Sequence, residues 1–442
     1  MVRKELVLLV GSTLLALLVA VGLLRWLAPG LLGGARDLEL VALSREVPPF
    51  FEGVFRRENS ETSDFLLKDP RTLNRPRPFH GEFAAAAIGP HDVLGFRNRD
   101  VPAVADVVTL GDSQTYGVNV PLEDNWPSAM HRSLGHASVY NMGVGSWGAV
   151  QYADMFVNAT AFRPRVVVVA FYSGNDPLDS FALAYGSDLW RELRVDPGLT
   201  AADAPSTPFP PPESEQWTSQ IGGAPMVFAP KLRLLSTDDS KAATAGWGVM
   251  RKAAEIMATV AARDGFHAVM TVVPTKELVY AGRLAAEKVE APPEYGRLIE
   301  TEARRIAEFC GYAATLPATT CVDLVKPLQD AAMSVADLYP GNVNGHPLAA
   351  GYRVIGEAVA TAVAAHVPPV PDGWVVIPKD DINPAQTVFL VRDGVAWMFA
   401  NSAMMTANGW VRPNAQYVTA RDLASLPKRL VTAPDRKRLG PR

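Results

Sequence analysis

The sequence has few cysteines, little net charge and no long-period repeat, and each of these absences excludes a class of protein. Two cysteines in 442 residues exclude a disulfide scaffold and any multi-cysteine zinc or iron–sulfur site. A net charge of −4 argues against binding nucleic acid over a broad surface. No self-similarity is visible at a period of about 20–50 residues, which argues against solenoids and propellers.

The composition is that of a globular chain. Hydrophobic residues make up 48% and charged residues 20%, which excludes a disordered polymer and a fibrous repeat. At roughly 100–200 residues per domain, the length allows two or three domains with a full core.

A long apolar run lies close to the N-terminus. Residues 6–24 carry no charge, and as a helix they would span about 28 Å, close to the thickness of a bilayer core. Arg3 and Lys4 precede the run and favour a cytoplasmic N-terminus. We predict a cytoplasmic tip over 1–5 and a single-pass anchor over 6–24 in the inner (cytoplasmic) membrane. The rest then lies in the periplasm or another extracytoplasmic space; a cleaved signal peptide is the alternative.

The remaining chain divides into three parts by pattern. Residues 25–86 start as a stalk and continue as a polar, proline-rich N-terminal extension. Over 87–371, short β-branched runs alternate with helical periodicity, which predicts an α/β domain with a parallel sheet covered on both faces. Seven prolines over 205–230 predict a loop or insertion. Residues 372–442 predict a small β-rich appendage, with a hairpin turning at 392–394.

Within the α/β region, the apolar patterns define individual elements. The predicted strands are 104–110, 139–140, 165–171, 267–273 and 321–325, and the predicted helices are 127–134, 242–263, 281–310 and 348–365. Cys310 and Cys321 lie between a helix end and a strand start. They can pair in an oxidising compartment or remain two separate thiols, because spacing alone does not fix the distance between the Cα atoms.

Three successive predicted strands end in glycine beside small polar residues. Gly-Asp-Ser at 111–113 follows the first strand and places Ser113 at the carboxyl edge of the sheet, where α/β proteins bind ligands. The segments 141–146 and 172–176 follow the next two strands. Their backbone N–H groups and the Asn175 amide can donate to developing negative charge, which suits a serine nucleophile.

A nucleophilic serine needs a base, and one of the seven histidines has a suitable position. His346 follows the last predicted strand and directly precedes Pro347, which opens the final helix. The N-terminus of that helix keeps the histidine pKa from rising, and a neutral imidazole suits a general base.

The segments 111–113, 141–146, 174–176 and 344–347 resemble the four blocks of the SGNH (GDSL-type) hydrolases, in the order found in that family. The resemblance covers about residues 87–366. It implies a flavodoxin-like three-layer α/β/α fold and small acyl esters as substrates, with no metal or cofactor. The stretch 89–98 is similar to bacterial envelope members that act on O-acetylated polysaccharide.

The resemblance also implies roles for individual residues. Ser113 would be the nucleophile and His346 the base. The oxyanion hole would combine the backbone N–H of Ser113, that of Gly145 or Ser146, and the side chain of Asn175. The family usually has glycine where Ser146 stands, but a backbone N–H survives that difference.

The chain departs from the family at the catalytic acid. The family places an acid two or three residues before the histidine, where this chain has Asn344 and Val343. Asp337 can reach the imidazole from the preceding loop. Alternatively, Asn344 orients the imidazole through its amide oxygen, or the site is a Ser–His dyad.

Three functions are compatible with these residues. The first is an esterase that removes acetyl groups from an extracytoplasmic glycan through an acyl-enzyme. The second is a polysaccharide O-acetyltransferase that uses the same site and a membrane protein as acyl donor. The third is a non-catalytic glycan-binding or assembly factor. The expected partners are an acylated carbohydrate or small ester, and the lipid bilayer through residues 6–24.

Overall fold

The computed structural model describes residues 66–79, 89–102, 104–208, 210–335 and 337–368, and shorter pieces between 373 and 430. The predicted anchor over 6–24 and most of the stalk lie outside the described residues. Over the ranges just given, no helix is long and apolar enough to cross a membrane.

The strands and helices of the described residues are numbered in chain order. The strands are β1 (Leu66–Asp69), β2 (Leu73–Pro76), β3 (Val107–Gly111), β4 (Val139–Asn141), β5 (Val166–Tyr172), β6 (Trp217–Ile221), β7 (Ala224–Phe228), β8 (His267–Val273), β9 (Thr319–Val322), β10 (Gly373–Ile377), β11 (Thr387–Arg392), β12 (Val395–Met398), β13 (Gln416–Tyr417) and β14 (Lys428–Leu430). The helices are α1 (Ser113–Tyr116), α2 (Trp126–Leu134), α3 (Ala149–Ala159), α4 (Asp176–Gly186), α5 (Pro230–Thr237), α6 (Lys241–Asp264), α7 (Lys276–Val279), α8 (Ala281–Ala286), α9 (Pro293–Ala313), α10 (Val325–Ala332) and α11 (Ala349–Ala364).

A parallel five-stranded sheet forms the centre of the α/β region. Its strand order is β4-β3-β5-β8-β9, and every neighbouring pair is parallel. This is the flavodoxin-like order, with β3 and β5 side by side at the point where the strand order reverses. Every residue of β3 and β5 is buried, as the continuous apolar sequence of a strand covered on both faces predicts.

Helices cover both faces of this sheet and produce three layers. On one face, Val166, Val168 and Ala170 of β5 share a core with α2 and with Ile355 and Val359 of α11. On the other face, the ring of Phe171 packs against rings on α3 and α9. Side chains alternate between the two faces along a strand, so β5 supplies both cores. The α/β three-layer prediction is confirmed.

The proline-rich segment folds into more than a loop. It contains an antiparallel hairpin, β6 paired with β7, that turns at Gly222 and Gly223, both at positive φ. Phe228 at the end of β7 is fully buried and stacks on Trp217, and α5 begins two residues later at Pro230. The hairpin therefore holds α5 against the domain, which the many prolines of the segment do not reveal.

Other elements differ from prediction at their boundaries. The predicted helix over 281–310 divides into α8 and α9, since Pro292 and Pro293 interrupt it. The predicted strand over 321–325 is β9, shifted two residues toward the N-terminus. Cys310 in α9 and Cys321 in β9 form a disulfide.

The described strands near the C-terminus form a separate sheet. Its order is β13-β10-β11-β12-β14, with antiparallel and parallel neighbours. Strands β11 and β12 are antiparallel and pair Arg392 with Val395 across the predicted turn.

Candidate active site

Ser113 occupies the sharp turn that follows β3. Asp112 caps α1 by accepting a hydrogen bond from the Gln114 backbone N–H at 2.8 Å. A Cβ at Gly111 would lie 2.0 Å from the Thr115 hydroxyl oxygen and 2.7 Å from the Ala170 carbonyl oxygen. Only glycine permits this close approach, so the turn can bring Ser113 directly off the carboxyl end of the central strand.

Ser113, His346 and Asn344 form a continuous hydrogen-bonded chain. The Ser113 Oγ lies 2.7 Å from His346 Nε2, and Asn344 Oδ1 lies 2.7 Å from His346 Nδ1. The amide oxygen can only accept a hydrogen bond, so Nδ1 carries the proton and Nε2 is left to accept the serine proton. This is the tautomer that a general base needs.

A second asparagine, Asn119, fixes which atom of Asn344 faces the histidine. The Asn344 Nδ2 donates to Asn119 Oδ1 at 2.9 Å, and Asn119 Nδ2 donates to the His346 carbonyl oxygen at 3.0 Å. Because the Asn344 nitrogen is engaged there, its oxygen points to the imidazole. Asn119 has a φ of 78°, a left-handed conformation that asparagine tolerates better than most residues.

Asp337 does not occupy the position of the acid. It is exposed, and in the part of the chain that the structure describes its carboxylate makes no hydrogen bond to His346. The imidazole Nδ1 already faces Asn344. In this structure the alternative, Asn344, contacts Nδ1, and Asp337 is exposed to solvent.

The surroundings of His346 favour its neutral form. Burial lowers its pKa from 6.5 to about 4, and the positive charge of Arg233 acts in the same direction. The imidazole is consequently uncharged near pH 7 and able to accept a proton.

A cavity of about 570 Å³ opens over Ser113. Its volume is in the range of small-molecule sites. The side chains and glycines that line it are Ser113, Gln114, Tyr116, Val118, Gly145, Ser146, Tyr172, Gly174, Asn175, Leu178, Asp179, Thr207, Leu232, Arg233, Ser236, Gly345 and His346.

The residues predicted for the oxyanion hole all reach this cavity. Gly145 lies against the nucleophile, since a Cβ added to it would be 3.9 Å from Ser113 Cβ. Ser146 has a φ of 64°, in the left-handed region that glycine adopts most readily. Among the described residues, no acceptor is bonded to the backbone N–H of Ser113, Gly145 or Ser146. These N–H groups are therefore available to an oxyanion in the cavity.

Asn175 has an acidic neighbour that the sequence analysis did not single out. Its Nδ2 donates to Asp179 Oδ2 at 2.5 Å, which uses one of its two amide hydrogens and leaves the other. Burial raises the pKa of Asp179 to about 6. Asp179 orients the Asn175 amide when it is ionised.

Buried acids also lie beneath the nucleophile. Burial raises the pKa values of Asp112 and Asp176; the charge of Asp179 raises that of Asp112 further, and the charge of Asp112 raises that of Asp176 further. Asp176 Oδ2 accepts hydrogen bonds from the Tyr152 hydroxyl and the Tyr172 backbone N–H. These contacts fix the turn after β5 that presents Asn175.

Three residues that face or support the site escaped sequence reasoning, namely Asn119, Asp179 and Arg233. Asn119 follows Tyr-Gly-Val in a turn, and an asparagine near a glycine is a turn signal that sequence inspection can use. Asp179 and Arg233 carry no such signal, because each lies in an ordinary helix and reaches the cavity only through tertiary packing.

The sequence matches no protein-family model and no curated protein. Solved structures with some similarity include a putative lipolytic protein of the G-D-S-L family from Desulfitobacterium hafniense, at 16% identity and a TM-score of 0.32 over 58% of this chain and 97% of that one. A G-D-S-L lipolytic protein from Veillonella parvula matches at 15% identity and a TM-score of 0.33, over 59% of this chain and 97% of that one. A catalytic mutant of an acetylxylan esterase from Geobacillus stearothermophilus matches at 11% identity and a TM-score of 0.33, over 60% of this chain and 95% of that one. Similarity this low assigns neither a family nor an activity to the chain.

Proposed function

We propose that this protein is an SGNH-type serine hydrolase that cleaves small acyl esters through an acyl-enzyme. The observation that carries the proposal is the hydrogen-bonded chain from Ser113 through His346 to Asn344, with both distances at 2.7 Å. The nucleophile is within reach of a base, and a third group orients the base, which is the arrangement that covalent catalysis by serine requires.

The reaction has two halves. In the first, Ser113 Oγ attacks the ester carbonyl carbon while His346 Nε2 takes the hydroxyl proton. The intermediate collapses, the bond to the alcohol breaks, and the alcohol leaves with the proton from His346. In the second, His346 deprotonates a water molecule that attacks the acyl group, and the carboxylic acid and free Ser113 are released.

The oxyanion of each half-reaction lies where backbone N–H groups and an amide converge. The N–H of Ser113, that of Gly145 or Ser146, and the second N–H of Asn175 are the donors. Asn344 replaces the usual carboxylate. It holds the tautomer of His346 but places no negative charge beside the imidazolium that forms, so we expect a slower enzyme than one with aspartate there.

The substrate that we propose is an acetylated glycan outside the cytoplasm. The resemblance to envelope members motivates it, and two features are compatible with it. The cavity volume leaves room for a sugar as well as an acetyl group. The Cys310–Cys321 disulfide suits an oxidising compartment, as a chain anchored by residues 6–24 in the inner membrane would encounter in the periplasm.

The test is ester hydrolysis by the full-length chain in detergent. We expect 4-nitrophenyl acetate to be hydrolysed, and Ser113→Ala and His346→Ala each to lower kcat/KM by at least about 1000-fold. The control is Ser334→Ala, a change to an exposed serine outside the cavity, which should leave the rate unchanged. An alkyl fluorophosphonate should label Ser113 in the unchanged protein.

Equal rates for Ser113→Ala and the unchanged protein would overturn the proposal. If Ser113 is labelled but esters are not hydrolysed, the acyl group passes to another acceptor. Release of 4-nitrophenol from 4-nitrophenyl acetate only when an unacetylated polysaccharide is added, with the acetyl group recovered on that polysaccharide, would then identify an O-acetyltransferase, whose acyl donor in the cell would be a membrane protein.

A further inference from the structure

The cavity contains a buried cation that the proposed hydrolysis does not use. Arg233, on α5, lines the same cavity as Ser113 and His346, and its side chain is 7% exposed. A guanidinium group stays protonated at any accessible pH. Burying it without an anion costs free energy, so a buried arginine normally has a carboxylate or phosphate partner.

Arg233 has no such partner among the residues that the structure describes. No carboxylate of these residues lies within 4.0 Å of its guanidinium; the charges of Glu277, Glu302 and Asp112 act on it from farther away. Within the described residues, its side chain donates one hydrogen bond, from Nη1 to the Gly174 carbonyl oxygen, at a long 3.4 Å. Most of its five N–H donors therefore have no acceptor.

Two neutral side chains of the cavity also have polar atoms without partners. The Tyr172 hydroxyl and the Gln114 Oε1 are buried and make no hydrogen bond to any residue that the structure describes. Tyr172 is 3% exposed and Gln114 is 1% exposed. Buried polar groups of this kind are rarely left unpaired, and both residues line the cavity.

Gly345 brings the cation and the hydroxyl close to the catalytic histidine. A Cβ at this position would lie 2.9 Å from Arg233 Nη2 and 3.0 Å from the Tyr172 hydroxyl oxygen. The guanidinium also lies over the Tyr172 ring, with its carbon 5.6 Å from the ring centroid. Two kinds of donor thus converge on one part of the cavity, next to His346.

We propose that Arg233 and Tyr172 bind a carboxylate group of the substrate, so that the enzyme prefers esters that carry an anion on the alcohol or acyl part. The planar guanidinium matches a carboxylate with two parallel hydrogen bonds, and the tyrosine hydroxyl adds a third. Asp179 also lines the cavity, but its carboxylate is bound to Asn175. This inference rests on the proposed function and specifies its substrate class as acidic esters, such as an acetylated sugar acid.

The first experiment compares matched charged and neutral esters. 4-Acetoxybenzoate and its methyl ester test the alcohol side, and 4-nitrophenyl hemisuccinate and its methyl ester test the acyl side. For each pair the ratio of kcat/KM values is corrected for the spontaneous hydrolysis rates. In at least one pair, we expect Arg233→Met to lower the preference for the anion about 10- to 100-fold, chiefly through KM.

Two further variants separate charge from packing. Arg233→Lys keeps a positive charge without the planar fork and should retain part of the preference. Tyr172→Phe removes only the hydroxyl and should lower the preference about 5- to 10-fold, which gives a test even if Arg233→Met does not fold. The proposal fails if the ratio is the same in the unchanged protein, Arg233→Met and Tyr172→Phe.

The second experiment does not depend on hydrolysis. In the full-length Ser113→Ala protein, glucuronate should raise the thermal unfolding temperature, whereas glucose at the same concentration should not. Adding Arg233→Met should remove the glucuronate effect. A protein that binds glucuronate through Arg233 but hydrolyses no ester would retain the anion site and refute the proposed function. A protein that hydrolyses esters without a charge preference would support the proposed function and refute the anion site.

Discussion

At the scale of single residues, the chemistry of the site depends on the group that orients His346. Asn344 supplies an amide oxygen, which fixes the imidazole but contributes no net charge. The histidine pKa is lowered to about 4 by burial, and Arg233 adds to the effect. Under the proposed function, the imidazole is thus a neutral and weak base, and its protonation should limit activity only in strongly acidic solution.

Replacing the amide with a carboxylate should shift the pH dependence. Asn344→Asp places a negative charge beside the imidazole, which raises the pKa of His346. We expect the acid limb of the kcat/KM profile to move upward by at least about one pH unit. Ester hydrolysis measured between pH 4 and 9 tests this.

Asn344→Leu is the matched control for this substitution. It removes the hydrogen bond to Nδ1, so kcat/KM should fall at every pH without an upward movement of the acid limb. In the unchanged protein, Asn119 Oδ1 accepts a hydrogen bond from Asn344 Nδ2. The variant Asn344→Asp has no such donor, so the amide of Asn119 must turn. An acid limb that stays in place in Asn344→Asp would show that His346 does not set the pH dependence.

The residue-scale features differ in how far sequence can predict them. Ser113 and Asn175 each follow a strand, and parallel strands bring their carboxyl ends to one edge. His346 follows the loop after α10, but it lies directly before the final helix, which sequence inspection could recognise. The choice between Asp337 and Asn344 depended on the path of one loop, which no local pattern reports. Arg233 was unpredictable because its contact with the cavity depends on the hairpin that carries α5.

At the scale of elements, the β6–β7 hairpin and the α9–β9 connection show what local patterns can and cannot reveal. β5 was predictable because seven buried apolar residues leave few alternatives to a central strand. The hairpin was not, since Pro225 within β7 and the cluster of prolines before β6 obscured the alternation of buried and exposed residues that its pairing produces. The cysteine spacing was compatible with pairing, but only the tertiary structure brings the two Cα atoms within 5.3 Å.

The disulfide should contribute to stability rather than to catalysis. Cys310 and Cys321 are separated by 11 positions, and closing a loop of this length stabilises a protein by about 2–3 kcal/mol through the unfolded chain. We expect the double variant Cys310→Ala/Cys321→Ala to have a free energy of unfolding lower by this amount, and therefore a lower midpoint in urea. Neither cysteine lines the cavity, so ester hydrolysis at 25 °C should be unchanged.

A reductant provides the control for that measurement. Dithiothreitol should lower the unfolding midpoint of the unchanged protein and have no effect on the double variant. If thiol titration shows that the bond is open and the midpoint has not moved, the disulfide does not stabilise the fold.

At the scale of the whole molecule, several buried carboxyl groups link stability to pH. Burial raises the pKa values of Asp92 and Glu302 to about 7, from 3.8 and 4.5. At pH values between the ordinary and the raised pKa, both groups bind more protons in the folded than in the unfolded protein. Their contribution to stability is therefore lost as the pH rises through this range. His346 acts in the opposite direction, because its lowered pKa weakens the fold as the pH falls below about 6.5.

The balance predicts a protein that is more stable at pH 6 than at pH 8. Each unit by which a pKa differs between the folded and unfolded protein changes the free energy of unfolding by about 1.4 kcal/mol. Two carboxyl groups favour the lower pH, and one histidine opposes them. Urea unfolding at the two pH values measures the difference. Glu302→Gln removes one titrating group while keeping an acceptor for the Ser173 hydroxyl, and should make the difference smaller. Equal free energies of unfolding at pH 6 and pH 8 would contradict the prediction.

The hydrogen bond between Ser113 and His346 joins positions 233 residues apart. The nucleophile emerges early in synthesis, whereas its base follows β9, the last strand of the central sheet. A growing chain therefore contains a serine without a base until residue 346 has been added and the loop after α10 has folded against β3. Under the proposed function, the chain cannot act on esters before that point.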